Sequence, residues 1–385
     1  MNRIKNILIK KSMIITLLVV FLLFNIFTGG RMVYPQNLSN LLLQNAYVFV
    51  MACGMLLCIL TGGNIDLSVG STVCLVGAIV TRLLNSNVNE YLVIIIALIV
   101  GALIGTWNGI WIGKIHVPSF VCTLASMFFL RGLARAILES KTIAIANERF
   151  LNIFASYINI PGIDDGQIKY SAILFGIVIA IILLINTYIK QSSRAKKGYD
   201  VKPLATEMFN TSLVAAFILY YCIKLANHRG IPTMVLWVMA VVIIYHFITS
   251  KSVFGRYFYA VGGNEKAAKL SGIDSDKVYF TAYLSMSVLA ALAAMLIVAR
   301  IGSVNGDTGN AFEMDAIGAC FIGGASAYGG RGDVKGIIVG AMLLGTINQG
   351  MSIIGMDSNW QLVVKGLILL TAVVFDVLSK RENNS

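Results

Sequence analysis

Twelve apolar runs recur along this chain, near 13–28, 41–60, 68–84, 91–113, 118–138, 170–189, 211–226, 233–250, 279–299, 313–328, 336–356 and 360–378. Inside a bilayer no water reaches the backbone, so a spanning segment must bond its own N–H and C=O groups as a helix or close into a barrel. A run of about 20 apolar residues rising 1.5 Å each spans the hydrocarbon as a helix. The expected fold is therefore all-α: a polytopic membrane bundle of about 12 crossings over 1–385. No gap between runs holds a soluble domain of ordinary size, about 100 residues. Charged residues are 12% of the chain, roughly half the share of a soluble domain. The runs at 68–84 and 313–328 are short for a straight crossing and suit broken or re-entrant helices buried in protein or lining a cavity. The first run follows Arg3, Lys5, Lys10 and Lys11 as a signal peptide would, but FTGGRMVYPQN after it lacks a small-residue cleavage site, so it reads as a retained span or signal anchor.

Lys and Arg resist translocation and so orient the bundle. With the N-terminus inside, cytoplasmic segments carry Arg3, Lys5, Lys10, Lys11, Lys114, Lys190, Arg194, Lys196, Lys197, Lys202, Lys251, Arg256, Lys266, Lys269, Lys277, Arg331, Lys335, Lys380 and Arg381. The opposite loops hold Arg31, Lys141, Arg149, Lys169, Arg229 and Arg300. Nineteen against six predicts both termini on the cytoplasmic side of a cell membrane. The net charge of +12 then reflects topology and attraction to anionic lipid. A nucleic-acid partner would want a basic face on a soluble module, and the chain has no such module.

Other signals exclude chemistry. The six cysteines, Cys53, Cys58, Cys74, Cys122, Cys222 and Cys320, lie in or beside apolar runs without CxxC spacing, which reads as core packing rather than metal or disulfide. His116, His228 and His246 are scattered, so no metal cluster is expected. No GxxxxGK followed by Ser or Thr occurs, so ATP-driven work would need an ATPase on another chain. No pair of residues has nucleophile-and-base logic, and neither a catalytic residue nor a cofactor is expected.

AVGGNEKAAKLSGI, residues 260–273, is the polar exception between two greasy runs. Gly262 and Gly263 allow a sharp turn, Asn264 can cap the next helix and Glu265 favours its positive end. Ala267, Ala268 and Leu270 carry that helix, and Gly272 can end it as a left-handed cap. A helix of about two turns is unstable alone in water and needs a partner surface. A solvated loop whose basic residues obey topology accounts for the same spacing.

GRYFYAVGGNEKAAKLSGI, from Gly255 to Ile273, resembles the cytoplasmic loop of ABC sugar-importer permeases of the ribose and xylose type, in which a short helix docks into a cleft of the ATPase subunit. Further matches follow in that family's order: TGGNIDLSVGS at 61–71, GTWNGIWIGKIHVPSFVCTLASMFFLRGLA at 105–134, FEMDAIGACFIGGASAYGGRGDVKG at 312–336 and NWQLVVKGLILLTAVVFD at 359–376. The resemblance covers nearly the whole chain. It implies a coupling loop at 251–278 that meets the ATPase through Gly255, Arg256, Gly262, Gly263, Asn264, Glu265, Ala267, Ala268, Ser271 and Gly272. Partners implied are an ABC ATPase subunit, an extracytoplasmic sugar-binding protein and a second permease copy. Residues 170–226 hold two extra apolar runs around KQSSRAKKGYDVKPLATEMF, an insertion similar to the longer xylose and multiple-monosaccharide branch. TGGNIDLS departs from the Gly-Gly-Ile-Asp common in the family by Asn64.

Within the spans, Gly101, Gly105, Gly109 and Gly113 recur every four positions, a face that lets a neighbouring backbone approach closely. Asp66, Asn108, Glu313, Asp315, Asn348 and Gln361 are costly at membrane depth and tend to face a bundle interior or a wet path. They are the candidate translocation residues. Asn108 can meet a sugar hydroxyl or another helix, and Asp66 can be a helix cap or line the path. Glu313 and Asp315 open a short glycine-interrupted span of the kind that lines transport paths. Lys365 and Asp376 lie nearer the ends of the last span, where snorkelling accounts for them. Arg82, Arg131, Arg135 and Lys224 also fall toward span ends, leaving amides, hydroxyls and carboxylates inside, which suits a neutral polyol. The expected function is the passage for a monosaccharide, pentose or hexose, in an ABC importer. The alternative is an ion-coupled secondary transporter or channel for a small polar solute.

Overall fold

The computed structural model describes residues 2–164, 166–199 and 203–384, with side chains described within 13–374 of those spans and at 377. The helices are α1 Asn2–Phe27, α2 Pro35–Leu60, α3 Val69–Asn85, α4 Glu90–Gly109, α5 Ser119–Leu138, α6 Glu148–Ala155, α7 Tyr170–Lys196, α8 Leu204–Ala226, α9 Thr233–Lys251, α10 Val253–Gly263, α11 Glu265–Leu270, α12 Ser275–Ile301, α13 Phe312–Ile322, α14 Val334–Ile354 and α15 Ser358–Asn384. Among the described residues eight helices are long and apolar enough to cross a membrane, and α3 and parts of α1 and α15 are shorter apolar helices. The chain is thus a polytopic helical membrane protein. Helix α2 begins six residues before its apolar run because Pro35 occupies its first turn, where a missing N–H costs nothing.

The core is built on α2 and α12. Both are buried on nearly every side, whereas only 17% of the most apolar stretch of each of α7, α8 and α9 is buried. Helix α4 lies against α12 through its glycines. A methyl placed on Gly101 would stand 2.6 Å from the Ala291 Cβ, one on Gly105 2.6 Å from the Leu284 Cα, and one on Gly113 2.7 Å from the Asp276 carbonyl oxygen. Backbones in such contact gain dispersion along their length, the driving force that replaces the hydrophobic effect in lipid. The last turn of α4 widens into a π-helical turn at Ile110–Lys114.

A two-residue antiparallel ladder, β1 Ile143–Ala144 on β2 Ser303–Val304, marks one end of the bundle. Helix α6 packs there, with Phe150 and Phe154 fully buried. The α10–α11 segment marks the other end. Between these ends the chain from 302 to 330 takes a broken path. Val304 lies beside Gly77, Cys74 Sγ contacts the Asn305 and Gly306 carbonyls, and Gly309 meets Gly70, so the segment descends along α3 without being helical. Arg131 of α5 holds it by donating to the carbonyls of Gly306 at 3.1 Å and Thr308 at 2.8 Å. Only then does α13 begin. Its 11 residues reach about 16 Å, half the hydrocarbon, and the loop after it arrives at the α11 end, where the Gly330 amide donates to the Leu60 carbonyl. Non-helical backbone at this depth is tolerated because protein surrounds it.

Helices α7 and α8 form a hairpin at the edge, joined by a Thr187–Thr211 hydroxyl contact of 3.1 Å. The Tyr221 hydroxyl anchors it to α2 by donating to the Leu38 carbonyl at 2.7 Å.

Three sequence expectations are corrected. Gly262 and Gly263 do not form a turn: both belong to α10, and the break falls at Asn264, whose φ of −160° and ψ of 101° leave the helix. Lys365 does not snorkel; its ammonium turns inward to the Asp315 carboxylate at 2.9 Å with 17% of the side chain exposed. Ala268, expected among the residues that meet the ATPase, is buried, at 5% exposure. Lys202 and the side chains of Asp376, Arg3, Lys5, Lys10, Lys11, Lys380 and Arg381 lie outside the described residues.

Candidate functional site

Two kinds of site emerge: an exposed helix at one end, and polar clusters inside the bundle. The exposed one starts at α10. Ser252 Oγ accepts from the Gly255 amide at 2.8 Å to cap it, and Gly255 is tucked so tightly under α9 that a methyl there would stand 1.9 Å from the Ile248 carbonyl oxygen. Arg256 points to the exterior. Asn264 then caps α11, its side chain accepting from the Ala267 amide at 3.0 Å, and Gly272 closes the segment with φ +82°, the left-handed end expected of glycine.

Helix α11 is held from below. The Tyr279 hydroxyl of α12 donates to Glu265 at 3.1 Å, and Lys269 pairs with the same carboxylate at 3.0 Å. Burial opposes the Glu265 charge, yet the hydrogen bonds from Lys269 and Tyr279 outweigh it and hold the carboxyl below its ordinary range. A lowered carboxyl stabilises the fold at neutral pH, and that contribution fades as pH falls through the lowered value. Outward, Ala267, Ser271 and Gly272 are exposed. Leu270 is 91% exposed, a leucine presented to whatever lies beyond.

The first interior cluster joins the starts of α3 and α5 to α4. Asp66 Oδ1 accepts from the Ser68 amide at 2.8 Å and the Ser68 hydroxyl at 2.6 Å. Asn108 donates to Ser68 Oγ at 3.0 Å and accepts from Ser126 Oγ at 2.6 Å. Both residues are fully buried, and Asp66 Oδ2 has no partner. Asn64 bonds the same region together: its Oδ1 accepts from Ser119 Oγ at 2.8 Å, tying the loop after α2 to the first turn of α5. These bonds tie the start of α3 and the last turn of α4 to the first two turns of α5.

The second cluster joins α2, α13 and α15. Asp315 Oδ2 accepts from the Tyr47 hydroxyl at 2.6 Å and from Lys365 at 2.9 Å, while its Oδ1 has no partner. Tyr47 stacks on Phe312 at 4.0 Å between ring centroids. Glu313 lies between the clusters, its carboxylate close enough to α3 that a methyl on Gly70 would stand 2.6 Å from Oε2. Asn348 carries a buried amide oxygen without partner, as does its neighbour Gln349. Gln361 turns back to the Met356 carbonyl at 2.9 Å, serving the start of its own helix. Sequence reasoning missed Tyr47, Ser68, Ser126 and Gln349, whose residue types are too common in spans to stand out. Among the described residues no three metal-ligating side chains converge, and all six cysteines are free and buried.

A family model described as "Branched-chain amino acid transport system / permease component" matches residues 37–373. The chain belongs to this family. Its relatives include the xylose transport system permease protein of Haemophilus influenzae, 35% identical over 374 residues and covering 96% of each chain. The Escherichia coli protein of the same description is 33% identical over 375 residues, 96% of this chain and 92% of its own. The ribose import permease protein of Bacillus subtilis is 34% identical over 342 residues, 89% of this chain and 85% of its own. No solved structure matches. The match runs through α2–α5, α10–α11 and α13–α15, so every cluster described above falls inside the permease family's shared region.

Proposed function

We propose that this permease is the membrane-spanning subunit of an ABC importer for a neutral pentose or hexose, using ATP hydrolysed by a separate subunit. The observation that carries the reading is similarity along 96% of the chain to xylose transport permeases, joined to a capped α11 that offers an exposed Leu270. An exposed leucine on a short helix held rigidly at its base fits an apolar cleft on a partner, here the ATPase. The family description names amino acids, but the relatives that match along most of this chain are described as xylose and ribose permeases. A sugar needs only many weak hydrogen bonds. Full-length similarity to the xylose permeases, with the α7–α8 pair at 170–226 included, favours the longer branch.

The nineteen-to-six charge asymmetry supports a cytoplasmic α11 end. The loop-and-helix path from 302 to 330 then counts as one crossing, giving twelve in a single permease domain with both termini inside the cell membrane. A second copy completes the passage, an extracytoplasmic sugar-binding protein delivers cargo at the α6 end, and anionic lipid meets the basic face. Asp66, Asn108 and Asp315 act on the path by fixing the helices that line it, and Glu313, Asn348 and Gln361 are its candidate lining residues. Single cysteines at Ser193 and Leu270, both exposed, should react with an impermeant maleimide only from the cytoplasmic side; reaction of either from outside overturns the orientation.

Vesicles holding permease, ATPase and binding protein should accumulate xylose or ribose on ATP addition, and Leu270→Cys should cross-link to the ATPase. Uptake of a branched-chain amino acid with no monosaccharide transported would sink the cargo. Uptake driven by an ion gradient without ATPase would favour the secondary transporter.

A further inference from the structure

Helix α10 does not end on side chains. Its penultimate residue, Gly262, sits so that a methyl there would stand 1.7 Å from the Leu60 carbonyl oxygen and 2.7 Å from the Gly330 amide nitrogen. That amide donates to the same Leu60 carbonyl at 3.0 Å. The final carbonyl of α2 therefore touches both α10 and the loop between α13 and α14. A second layer repeats the arrangement: a methyl on Gly329 would stand 2.4 Å from the Gly62 Cα, and one on Gly63 2.0 Å from the Ala327 carbonyl oxygen. Gly62, Gly63, Gly329 and Gly330 have φ of +114°, +77°, +80° and +70°, left-handed backbone that other residues enter only at a cost. The Tyr259 hydroxyl also crosses the joint, donating to the Gly332 carbonyl at 2.9 Å.

From this geometry we propose that the Gly262–Leu60–Gly330 contact is the joint through which movement of α10 and α11 reaches the interior, with Gly262 and Tyr259 as positioning residues for transport. The proposal rests on the reading of α11 as the ATPase-docking helix. Its physical basis is that side chains can change rotamer and absorb a displacement, whereas backbone in contact with backbone has no such slack. The loop after Leu60 leads within a few residues to Asp66 and Ser68, and hence to Asn108 and Ser126. The loop around Gly330 leads to α14 on one side and back to α13 and Asp315 on the other. One shift of α10 thus moves both polar clusters at once, as the shear of packed elements does in other switches.

The test uses vesicles with permease, ATPase and binding protein, and reads three quantities: ATPase recovered with the permease, ATP hydrolysed, and sugar taken up. Gly262→Ala should retain ATPase binding and the Leu270→Cys cross-link while sugar moved per ATP falls on the order of tenfold, as for loss of a coupling free energy of ordinary size. Gly166→Ala, where a methyl meets nothing within 4 Å, should leave all three unchanged. If Gly262→Ala does not assemble, Tyr259→Phe decides, since it adds no atom and removes one hydrogen bond worth about threefold to tenfold in an equilibrium. A normal sugar-to-ATP ratio in the assembled Gly262→Ala complex, or in Tyr259→Phe when that is the variant that assembles, overturns the joint. Loss of the cross-link in otherwise unaltered permease would instead overturn the docking of α11.

Discussion

Replacing Lys365 by Met is expected to lower the unfolding temperature of the detergent-solubilised permease sharply, and adding Asp315→Asn to the same chain is expected to recover most of it. Asp315 is 1% exposed, with one carboxylate oxygen shared by Tyr47 and Lys365 and the other without a partner. Removing the ammonium leaves a buried charge with a single neutral donor. Breaking a buried pair from one side costs about 3–5 kcal/mol, while removing both charges together is often nearly neutral. Against a total stability on the order of 5–15 kcal/mol, the single change is severe. The comparison of single and double variants separates the ion pair from mere loss of a long side chain, because Met keeps the aliphatic stem. A single variant that melts with the parent, or a double variant no better than the single, would show that no buried charge pair is present.

Gly105→Leu should be nearly as damaging, for a reason of shape rather than charge. A methyl at Gly105 would already stand 2.6 Å from the Leu284 Cα and 2.9 Å from the Leu284 and Tyr283 carbonyl oxygens. Those are backbone atoms of the central helix, so no rotamer change relieves the overlap, and α4 must move off α12. Overpacking costs about 1–3 kcal/mol where side chains can yield, and more where they cannot. Gly132→Leu on α5, where a methyl meets nothing within 4 Å, is the matched control. The measurement is folded, monodisperse protein after heating: equal survival of the two variants would refute the α4–α12 contact.

The coupling segment illustrates the boundary between local and tertiary information. Asn264 as cap and Gly272 as left-handed terminus are legible because both act within four residues of themselves, and the structure has them so. Gly262 and Gly263 are indistinguishable in the sequence. Only the arrival of Leu60 and Gly330, residues distant along the chain, makes the first indispensable and leaves the second in open space.

Lys365 follows the same logic. Its nearness to the end of its span suggests a side chain reaching for the interface, and its partner Asp315 lies fifty residues away. Asn108 had two readings in the sequence, and the neighbours that engage its amide, Ser68 and Ser126, come from two other elements.

The sequence by itself determined the solvent, the helical class and the places where helices could run, because hydrophobic length and the demand for internal backbone bonding act on contiguous residues. It also specified the glycine face of α4, since periodicity projects every fourth residue to one side. The tertiary structure alone decided which partners those faces and buried charges meet. At 313–328, where the run suits a broken helix, it supplied the descending loop that precedes the short helix α13, supported by Gly70, Cys74 and Arg131. The reason is physical: a non-helical segment survives at membrane depth only where other elements satisfy it, and those elements are distant in the chain.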